Sequence, residues 1–326
     1  MKAIGLTEFG GPDVLRVVEL PTPEPGPGEL RIRVHAAGVN PTDATFRAGG
    51  RAAQLAGRTP PYIPGMDAAG VVDKLGPATS ERLKPGDRVI MLVVPMGPHG
   101  GTYAEQLVAS EASVVRAPKN ATDAEAATLL LNAVAADLAL DTLALSAGQP
   151  VAISGAAGAV GGYAVQLAKS RGLTVIADAA LDGADAVLAL GADHVVARGP
   201  EFTDEVRAEF PDGVPGLIDG ANLDAAALPA IADGGALASL KGWTGPASGP
   251  AERGISVRPI SSFGSVTDTA LLEKLRDLAE DGTLSLRVAE VVPAQLAVQA
   301  HRRLAAGGIS GRIVLDFETP LATPAP

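Results

Sequence analysis

A short apolar strand that runs into a glycine-rich turn and then a helix constrains this chain more than any other feature. The segment reads VAISGAAGAVGGYAVQLAK over residues 151–169. Its Ala156, Gly158 and Gly161 follow the spacing A-x-G-x-x-G, with Gly155 in front. A dinucleotide diphosphate needs backbone N–H groups at a helix start, and a Cβ atom would hold it away. The pattern predicts a dinucleotide-binding turn; a tight strand-to-helix turn without a ligand is the alternative.

The region that begins at this turn alternates between short apolar strands and helices. Six strand–helix units in succession favour a parallel doubly wound sheet. The predicted strands are Val151–Ser154, Leu173–Ala177, His194–Ala197, Gly216–Asp219, Ala236–Leu240 and Ile255–Pro259. The predicted helices include Val160–Arg171, Ala184–Leu190 and Thr269–Asp281.

Residues 1–118 differ from this region and favour β-structure. Alternating segments such as Leu30–Val34 and Asp87–Val94 lie between clusters of turn residues. An apolar helix is predicted over residues 123–145, with Thr122 or Asn120 as its cap. A length of 326 residues suggests two domains. We therefore predict an α/β fold with a β-rich domain and a doubly wound domain.

The charge balance excludes two classes of partner. The chain contains 37 acidic and 26 basic residues, a net charge of −11. Nucleic acids and anionic membranes attract basic surfaces, so neither is expected as a partner. The first residues, MKAIGLTEFG, are charged and strand-like and resemble no signal peptide. We expect a cytoplasmic protein.

The sequence contains no cysteine and four histidines. The lack of cysteine excludes disulfides, a thiol nucleophile, iron–sulfur clusters and zinc sites that use sulfur. The histidines follow neither HxxxH nor HExxH spacing; they are His35, His99, His194 and His301. We therefore expect no metal site.

Seven short motifs occur in order along nearly the whole chain. They are GVNPTD over residues 38–43, PGMDAAGVV over 64–72, GDRV over 86–89, GTYAE over 101–105, the glycine-rich turn, QAHRRL over 299–304 and GRIVL over 311–315. As an ordered set they resemble the zinc-independent, zeta-crystallin-like quinone oxidoreductase branch of the medium-chain dehydrogenases/reductases.

This resemblance implies a GroES-like catalytic domain over residues 1–119 and 287–326, and a Rossmann domain over 120–286. It implies a homodimer that transfers a hydride from NADPH, with NADH as the alternative cofactor, to a quinone or an α,β-unsaturated carbonyl (enone). One alternative is a dedicated enoyl or enone reductase acting on a biosynthetic intermediate, such as a polyketide enone. Another is a non-redox cyclase, lyase or nucleotide-sensing protein on the same fold.

Two loops separate this chain from the zinc alcohol dehydrogenases that it also resembles. Those enzymes place cysteine and histidine–glutamate ligands where this chain reads Asn40-Pro41 and Met66-Asp67. Without zinc, no Lewis acid polarises an alcohol or ketone. The acceptor must then already be electrophilic, as quinones and enones are, and the cofactor supplies the hydride.

Three residues are predicted to serve catalysis. Asn40 is expected to donate an amide hydrogen to the developing enolate or hydroquinone oxygen, unless it is only a turn residue. Tyr62, on the loop before Pro64, is the phenol best placed to protonate a carbanion, unless it only packs beside the prolines. Asp43 is expected to fix its loop through backbone hydrogen bonds or to act as an acid.

The choice between NADPH and NADH depends on the end of the second strand. Asp178 stands 20 residues after Gly158, where an acidic residue usually binds the ribose 2′-hydroxyl and favours NADH. In relatives this acid stands one place later, and a shift of one residue on a strand reverses the side-chain direction. A 2′-phosphate would need a cation, and the nearest candidates are Arg198 and Arg312. The resemblance favours NADPH.

The predicted binding residues fall into two sets. The cofactor-binding set is Asn132, Ser154, Gly155, Ala156, Ala157, Gly158, Ala159, Val160, Gly161, Asp178, Arg198, Gly242 and Arg312. The substrate-binding set is Phe46, Met66, Trp243 and Phe263.

Overall fold

A computed structural model describes residues 1–180, 182–247 and 252–322. The chain divides into two units. The first unit comprises Met1–Leu131, Phe263–Glu280 and Leu286–Pro326, and the second comprises Asn132–Ser262 and Asp281–Ser285. The first is β-rich and the second contains a parallel sheet, which confirms the predicted α/β fold class.

Fifteen strands and eight α-helices are formed by the described residues. The strands are β1 (Lys2–Gly5), β2 (Arg16–Glu19), β3 (Glu29–Val39), β4 (Asp67–Leu75), β5 (Arg88–Leu92), β6 (Gln106–Ser110), β7 (Val114–Arg116), β8 (Pro150–Ser154), β9 (Thr174–Ala179), β10 (His194–Ala197), β11 (Val214–Asp219), β12 (Ile231–Ser239), β13 (Ser256–Pro259), β14 (Val288–Pro293) and β15 (Arg312–Asp316). The helices are α1 (Pro41–Arg47), α2 (Asp123–Ala126), α3 (Leu130–Leu143), α4 (Ala159–Ser170), α5 (Ala184–Ala189), α6 (Phe202–Glu209), α7 (Thr269–Glu280) and α8 (Ala297–Ala306).

The first unit is built on a seven-stranded sheet in the order β14-β15-β3-β4-β5-β7, with β6 pairing with β3. Its strand pairs are antiparallel except for β14 with β15. Leu30, Ile32 and Val34 alternate along β3 and are buried in an apolar core. This period of two is typical of a strand with one face on the core.

The second unit is built on a six-stranded parallel sheet in the order β10-β9-β8-β11-β12-β13. The chain runs outward from β8 to β10 on one side, and then crosses to β11 and runs to β13 on the other. This is the predicted doubly wound order, and its direction reverses between β8 and β11. Val151, Ala152 and Ile153 on the central strand β8 are fully buried, as expected for a parallel sheet covered on both faces.

The boundaries between the two units lie at different residues from the predicted domain boundaries. Residues 120–131 and helix α7 lie in the first unit. Asp123 at the start of α2 lies 2.6 Å from His35 on β3. Thr269 at the start of α7 donates to the carbonyl of Ala112 at 2.9 Å. Both helices are adjacent in sequence to the second unit, but their hydrogen-bond partners belong to the first.

Two helices replace the single one predicted over residues 123–145. Thr122 caps α2, because its Oγ1 accepts the N–H of Glu125 at 3.2 Å and the Glu125 carboxylate accepts the Thr122 N–H at 2.8 Å.

By length and hydropathy, Asp123–Leu143 would be long enough to cross a membrane, but 78% of its most apolar window is buried inside the protein. We interpret this segment as part of the core.

Candidate functional site

The glycine-rich turn joins β8 to α4 at the carboxyl edge of the parallel sheet. Gly155 has a φ of 72°, in the left-handed region that favours glycine. Gly161 lies in the first turn of α4, and a Cβ atom on it would stand 2.1 Å from the carbonyl oxygen of Gly155. The fold itself therefore requires these two glycines, because they let the helix start pack against the turn.

Gly158, the N-cap residue of α4, is not required by the fold in the same way. Its φ of −70° and ψ of 173° are extended values that any residue adopts. The nearest atom to a Cβ built on it is the Gly155 carbonyl oxygen at 3.1 Å. A helix start presents backbone N–H groups and the positive end of the helix dipole. A glycine at this position carries no side chain that would hold a diphosphate away from the helix start.

Asp178 at the end of β9 is engaged with the glycine-rich turn. Its Oδ1 accepts the backbone N–H of Ala156 at 2.8 Å, and the residue is 2% exposed. Arg198, just after β10, has a side chain that is 54% exposed, with its Nε 4.0 Å from Asp178 Oδ2. The carboxylate thus braces the turn, and the exposed group beside it is a guanidinium.

The other predicted cofactor residues of the second unit differ in their surroundings. Ser154 is fully buried, and its Oγ donates to Asp219 Oδ1 at 2.8 Å. Asn132 on α3 is 1% exposed. Gly242 has a φ of 85° in the turn after β12, and Trp243 beside it packs, partly buried, against the core of this unit. The remaining members lie in the glycine-rich turn or the first turn of α4: Ala157, Ala159 and Val160.

In the first unit, three polar side chains are buried around the start of α1. Asp43 Oδ2 accepts the backbone N–H of Asn40 at 2.8 Å. Asn40 Nδ2 donates to Asp67 Oδ1, also at 2.8 Å. All three residues are at most 1% exposed. Because the Asn40 amide is buried and bonded to Asp67, its role as a donor to a substrate oxygen stays a prediction.

A directional chain of hydrogen bonds extends from Asp43 to α8. The Arg47 guanidinium donates to His301 Nδ1 at 2.9 Å, so the neutral imidazole is assigned its proton on Nε2. His301 Nε2 lies 3.3 Å from the Tyr103 hydroxyl. That hydroxyl donates to Asp43 Oδ2 at 3.2 Å. The donors therefore all point from the guanidinium toward the carboxyl group.

Burial controls the ionisation of this network. It raises the pKa of Asp43 to about 7 and the pKa of Asp67 to about 6, although the Arg312 charge opposes both shifts. Burial, together with the Arg47 charge, lowers the pKa of His301 to about 3. His301 is therefore neutral at physiological pH, whereas Asp43 and Asp67 each change their protonation state near neutral pH.

Asp43→Asn is expected to change how stability depends on pH. The folded state keeps a proton on Asp43 up to about pH 7, whereas the ordinary pKa is 3.8. The stability linked to this group is complete below pH 4 and is lost as the pH rises through 7. In denaturant melts, the free energy of unfolding of the variant, taken relative to that of the wild type, should be about 1–3 kcal/mol higher at pH 8 than at pH 5.

His301 shifts in the opposite direction, but it is present in both proteins, so the comparison cancels its contribution. Asp13→Asn, at an exposed carboxyl, is the control, and its effect should be the same at both pH values. If Asp43→Asn also had equal effects at pH 5 and pH 8, Asp43 would be ionised throughout this range.

Three residues that were predicted to contact a ligand are buried in the first unit. Phe46 is 1% exposed and belongs to the apolar core. Met66 is 1% exposed. Arg312 is 6% exposed, and its guanidinium donates to the Val39 carbonyl at 3.2 Å. Their roles as contacts for a cofactor or a substrate stay predictions.

Two other predicted residues lie partly exposed in the first unit. The Tyr62 hydroxyl donates to the Arg58 carbonyl at 3.0 Å, and its ring stacks on Phe9 with 5.5 Å between ring centroids. Its role as a proton donor stays a prediction. The Phe263 ring lies 4.8 Å from the guanidinium carbon of Arg51, within the range of a cation–π contact.

Sequence reasoning missed the hydrogen-bonded partners of Asp43. No catalytic or binding role was predicted for Tyr103, Arg47 or His301. The available signal was positional, since Tyr103 lies in the GTYAE motif and His301 in QAHRRL. It also missed Asp219, the last residue of β11, which bonds to Ser154.

Two protein families match parts of the chain. The alcohol dehydrogenase GroES-like domain matches residues 26–119. The zinc-binding dehydrogenase family matches residues 190–315. The first match lies in the β-rich unit, and the second begins in the parallel-sheet unit and ends in β15.

Three proteins illustrate the similarity over full length. The quinone oxidoreductase of Sus scrofa is 30% identical, over 97% of this chain and 97% of its own. The crystal structure of an NAD-dependent alcohol dehydrogenase is 31% identical with a TM-score of 0.86, covering 97% of this chain and 99% of the other. The mycobacterial protein Rv1454c, solved in complex with NADPH, is 29% identical with a TM-score of 0.82, covering 97% and 100%.

Proposed function

Because the chain belongs to the quinone oxidoreductase branch of the medium-chain dehydrogenase/reductase family, we propose that it transfers a hydride from NADPH to a quinone or an enone. The observation that carries this proposal is a glycine at the N-cap of α4, where the backbone conformation does not demand one. A bound nicotinamide dinucleotide would supply the hydride. Gly155, Gly158 and the start of α4 would hold its diphosphate.

NADPH is the proposed cofactor because of the surroundings of Asp178. The Asp178 carboxylate already accepts the Ala156 N–H, which favours a bracing role over binding of a ribose 2′-hydroxyl. Arg198 beside it is exposed and can pair with a 2′-phosphate. The likeness to a protein complexed with NADPH supports the same choice, and the likeness to an NAD-dependent dehydrogenase keeps NADH as the alternative.

The residues at the family's zinc positions do not fit zinc, and we propose a reaction without it. Asn40 and Asp67 bond to each other, and Met66 is a buried thioether. The described part of the chain contains no cluster of three or more histidine, aspartate or glutamate side chains suited to a metal. An acceptor that is electrophilic by itself, such as a quinone or an enone, needs no Lewis acid.

The test is oxidation of NADPH and NADH, followed by their absorbance, against a panel of quinones, enones and simple alcohols. We expect turnover with quinones or enones, a preference for NADPH, no alcohol oxidation, and the same rates after treatment with a chelator. Alcohol oxidation that chelation abolishes and zinc restores would contradict the proposal. So would cofactor binding without any turnover, which favours a nucleotide sensor, or product formation without cofactor oxidation, which favours a cyclase or lyase.

Arg198→Ala tests the cofactor choice by fluorescence titration with NADPH and with NADH. Loss of a charge-assisted hydrogen bond to the 2′-phosphate should raise the Kd for NADPH by about 10- to 30-fold and leave the Kd for NADH unchanged. Arg258→Ala is the matched control, because Arg258 is exposed on β13 at the opposite edge of the same sheet. Equal losses for both cofactors would remove Arg198 from the 2′-phosphate site.

The physiological substrate is a narrower question within this proposal. A dedicated enoyl reductase on a biosynthetic intermediate would turn over one enone far faster than any quinone in the panel. A homodimer in the cytoplasm stays a prediction.

A further inference from the structure

The turn after β11 is organised by one buried carboxylate. Asp219 is 2% exposed. Its Oδ1 accepts the backbone N–H groups of Ala221 and Leu223, both at 3.1 Å, and its Oδ2 accepts the N–H of Asp224 at 2.8 Å. Three donors of one short turn thus depend on a single side chain. We call residues 220–224 the β11 turn.

The same carboxylate connects the β11 turn to the end of β8. Asp219 lies opposite Ser154 in the register of the parallel pair, and the Ser154 hydroxyl donates to Asp219 Oδ1 at 2.8 Å. Ser154 Oγ in turn accepts the N–H groups of Gly220 and Ala221, both at 3.2 Å. A Cβ atom on Gly155 would lie 2.9 Å from the carbonyl carbon of Gly220. The β11 turn therefore lies directly against the glycine-rich turn.

The backbone of the β11 turn is strained as well as constrained. Asn222 and Asp224 have φ values of 70° and 51°, in the left-handed region that side chains other than glycine seldom adopt. Such a conformation persists only where the surroundings impose it. The hydrogen bonds to Asp219 supply that constraint. Asn222 is exposed at the tip of the turn.

The sheet order shows which part of a dinucleotide the β11 turn would meet. The diphosphate is placed at the end of β8, and Asp178 and Arg198 mark the adenosine side at β9 and β10. β11 flanks β8 on the other side, where the strand order reverses. A dinucleotide laid across this edge has its nicotinamide half on the β11 side.

We propose that Asp219 is a positioning residue, which holds the β11 turn against the glycine-rich turn so that the turn contacts the nicotinamide half of the cofactor. This inference rests on the proposed function. Asp219 itself is buried, and it acts through the backbone N–H groups of Ala221, Leu223 and Asp224.

The test compares two ligands that share the adenosine half of the cofactor, only one of which carries the nicotinamide half. Kd values are measured for NADPH and for adenosine 2′,5′-bisphosphate, which lacks the nicotinamide half. Asp219→Asn should raise the Kd for NADPH by about tenfold, as for the loss of one or two hydrogen bonds, and leave that for the bisphosphate within about twofold. Asp233→Asn, at an exposed carboxylate of β12, is the control, and both affinities should stay unchanged.

Ser154→Ala is a second variant for the case that Asp219→Asn does not fold. It removes less of the constraint on the β11 turn. It should raise the Kd for NADPH by about fivefold, again with little effect on the bisphosphate. Equal weakening of both ligands, or of neither, in a folded variant would overturn the positioning role alone. Failure of the wild type to bind NADPH, NADH and the bisphosphate would instead overturn the proposed function, and this inference with it.

Discussion

Gly158→Val is expected to weaken NADPH binding by at least about 100-fold, or about 2.7 kcal/mol, while the protein stays folded. A valine side chain at the N-cap would project where the diphosphate approaches the start of α4. The backbone of Gly158 is extended, and its Cβ would meet only the Gly155 carbonyl oxygen at 3.1 Å. The substitution should therefore lower the free energy of unfolding by only about 1 kcal/mol.

The measurement is a fluorescence titration with NADPH, paired with a thermal melt of each protein. Gly11→Val is the matched control, because Gly11 is also extended and a Cβ there meets nothing within 4 Å. Gly161→Val is the opposite case, since its Cβ would stand 2.1 Å from a backbone oxygen and the fold should suffer. An unchanged NADPH affinity in Gly158→Val would remove the glycine-rich turn from the cofactor site.

The parts of the fold that sequence reasoning predicted are those with local signals. The strand at Val151–Ser154, the glycines behind it and the helix after it all lie within 20 residues of one another, roughly the length of one βα unit. Each later strand is an apolar run between turn residues, so its existence follows from composition. The doubly wound order then follows from the right-handed crossover rule, which leaves few alternatives.

The direction of individual side chains was harder to predict. Phe46, a predicted substrate contact, lies in the apolar core because the short helix α1 turns it inward. Asp178 was weighed as a ribose ligand, and only the structure shows its Oδ1 accepting the Ala156 N–H. Side-chain direction depends on how a strand or helix packs, and no single position in the sequence specifies that packing.

The buried network of the first unit could not be predicted from spacing at all. Tyr103 and His301, whose polar atoms are 3.3 Å apart, are separated by 198 positions in the sequence. Arg47 and His301 are separated by 254. Helical and strand periodicity relates residues within one element, so contacts between distant elements need the assembled sheet and helices.

Removal of the buried positive charge of Arg312 should have the largest effect on the stability of the protein. Arg312→Met is expected to lower the free energy of unfolding by about 3–5 kcal/mol, because it removes the positive charge that opposes the effect of burial on the Asp67 carboxylate. Arg302→Met is the matched control. Arg302 pairs with Asp13, and the two side chains are 58% and 73% exposed. The control should cost less than about 1 kcal/mol in the same denaturant melts.

The pH dependence separates a lost charge from lost packing. Without Arg312, the pKa of Asp67 rises further, because that guanidinium opposes the effect of burial. The folded variant avoids a buried, unpaired charge by keeping a proton on Asp67, so its destabilisation should be small at pH 5 and large at pH 8. Arg312→Met combined with Asp67→Asn removes both charges and keeps an acceptor for the Asn40 amide, so it should recover much of the stability at pH 8. Equal losses at both pH values, with no recovery in the double variant, would mean that Arg312 stabilises the fold through packing and its bond to Val39 rather than through its charge.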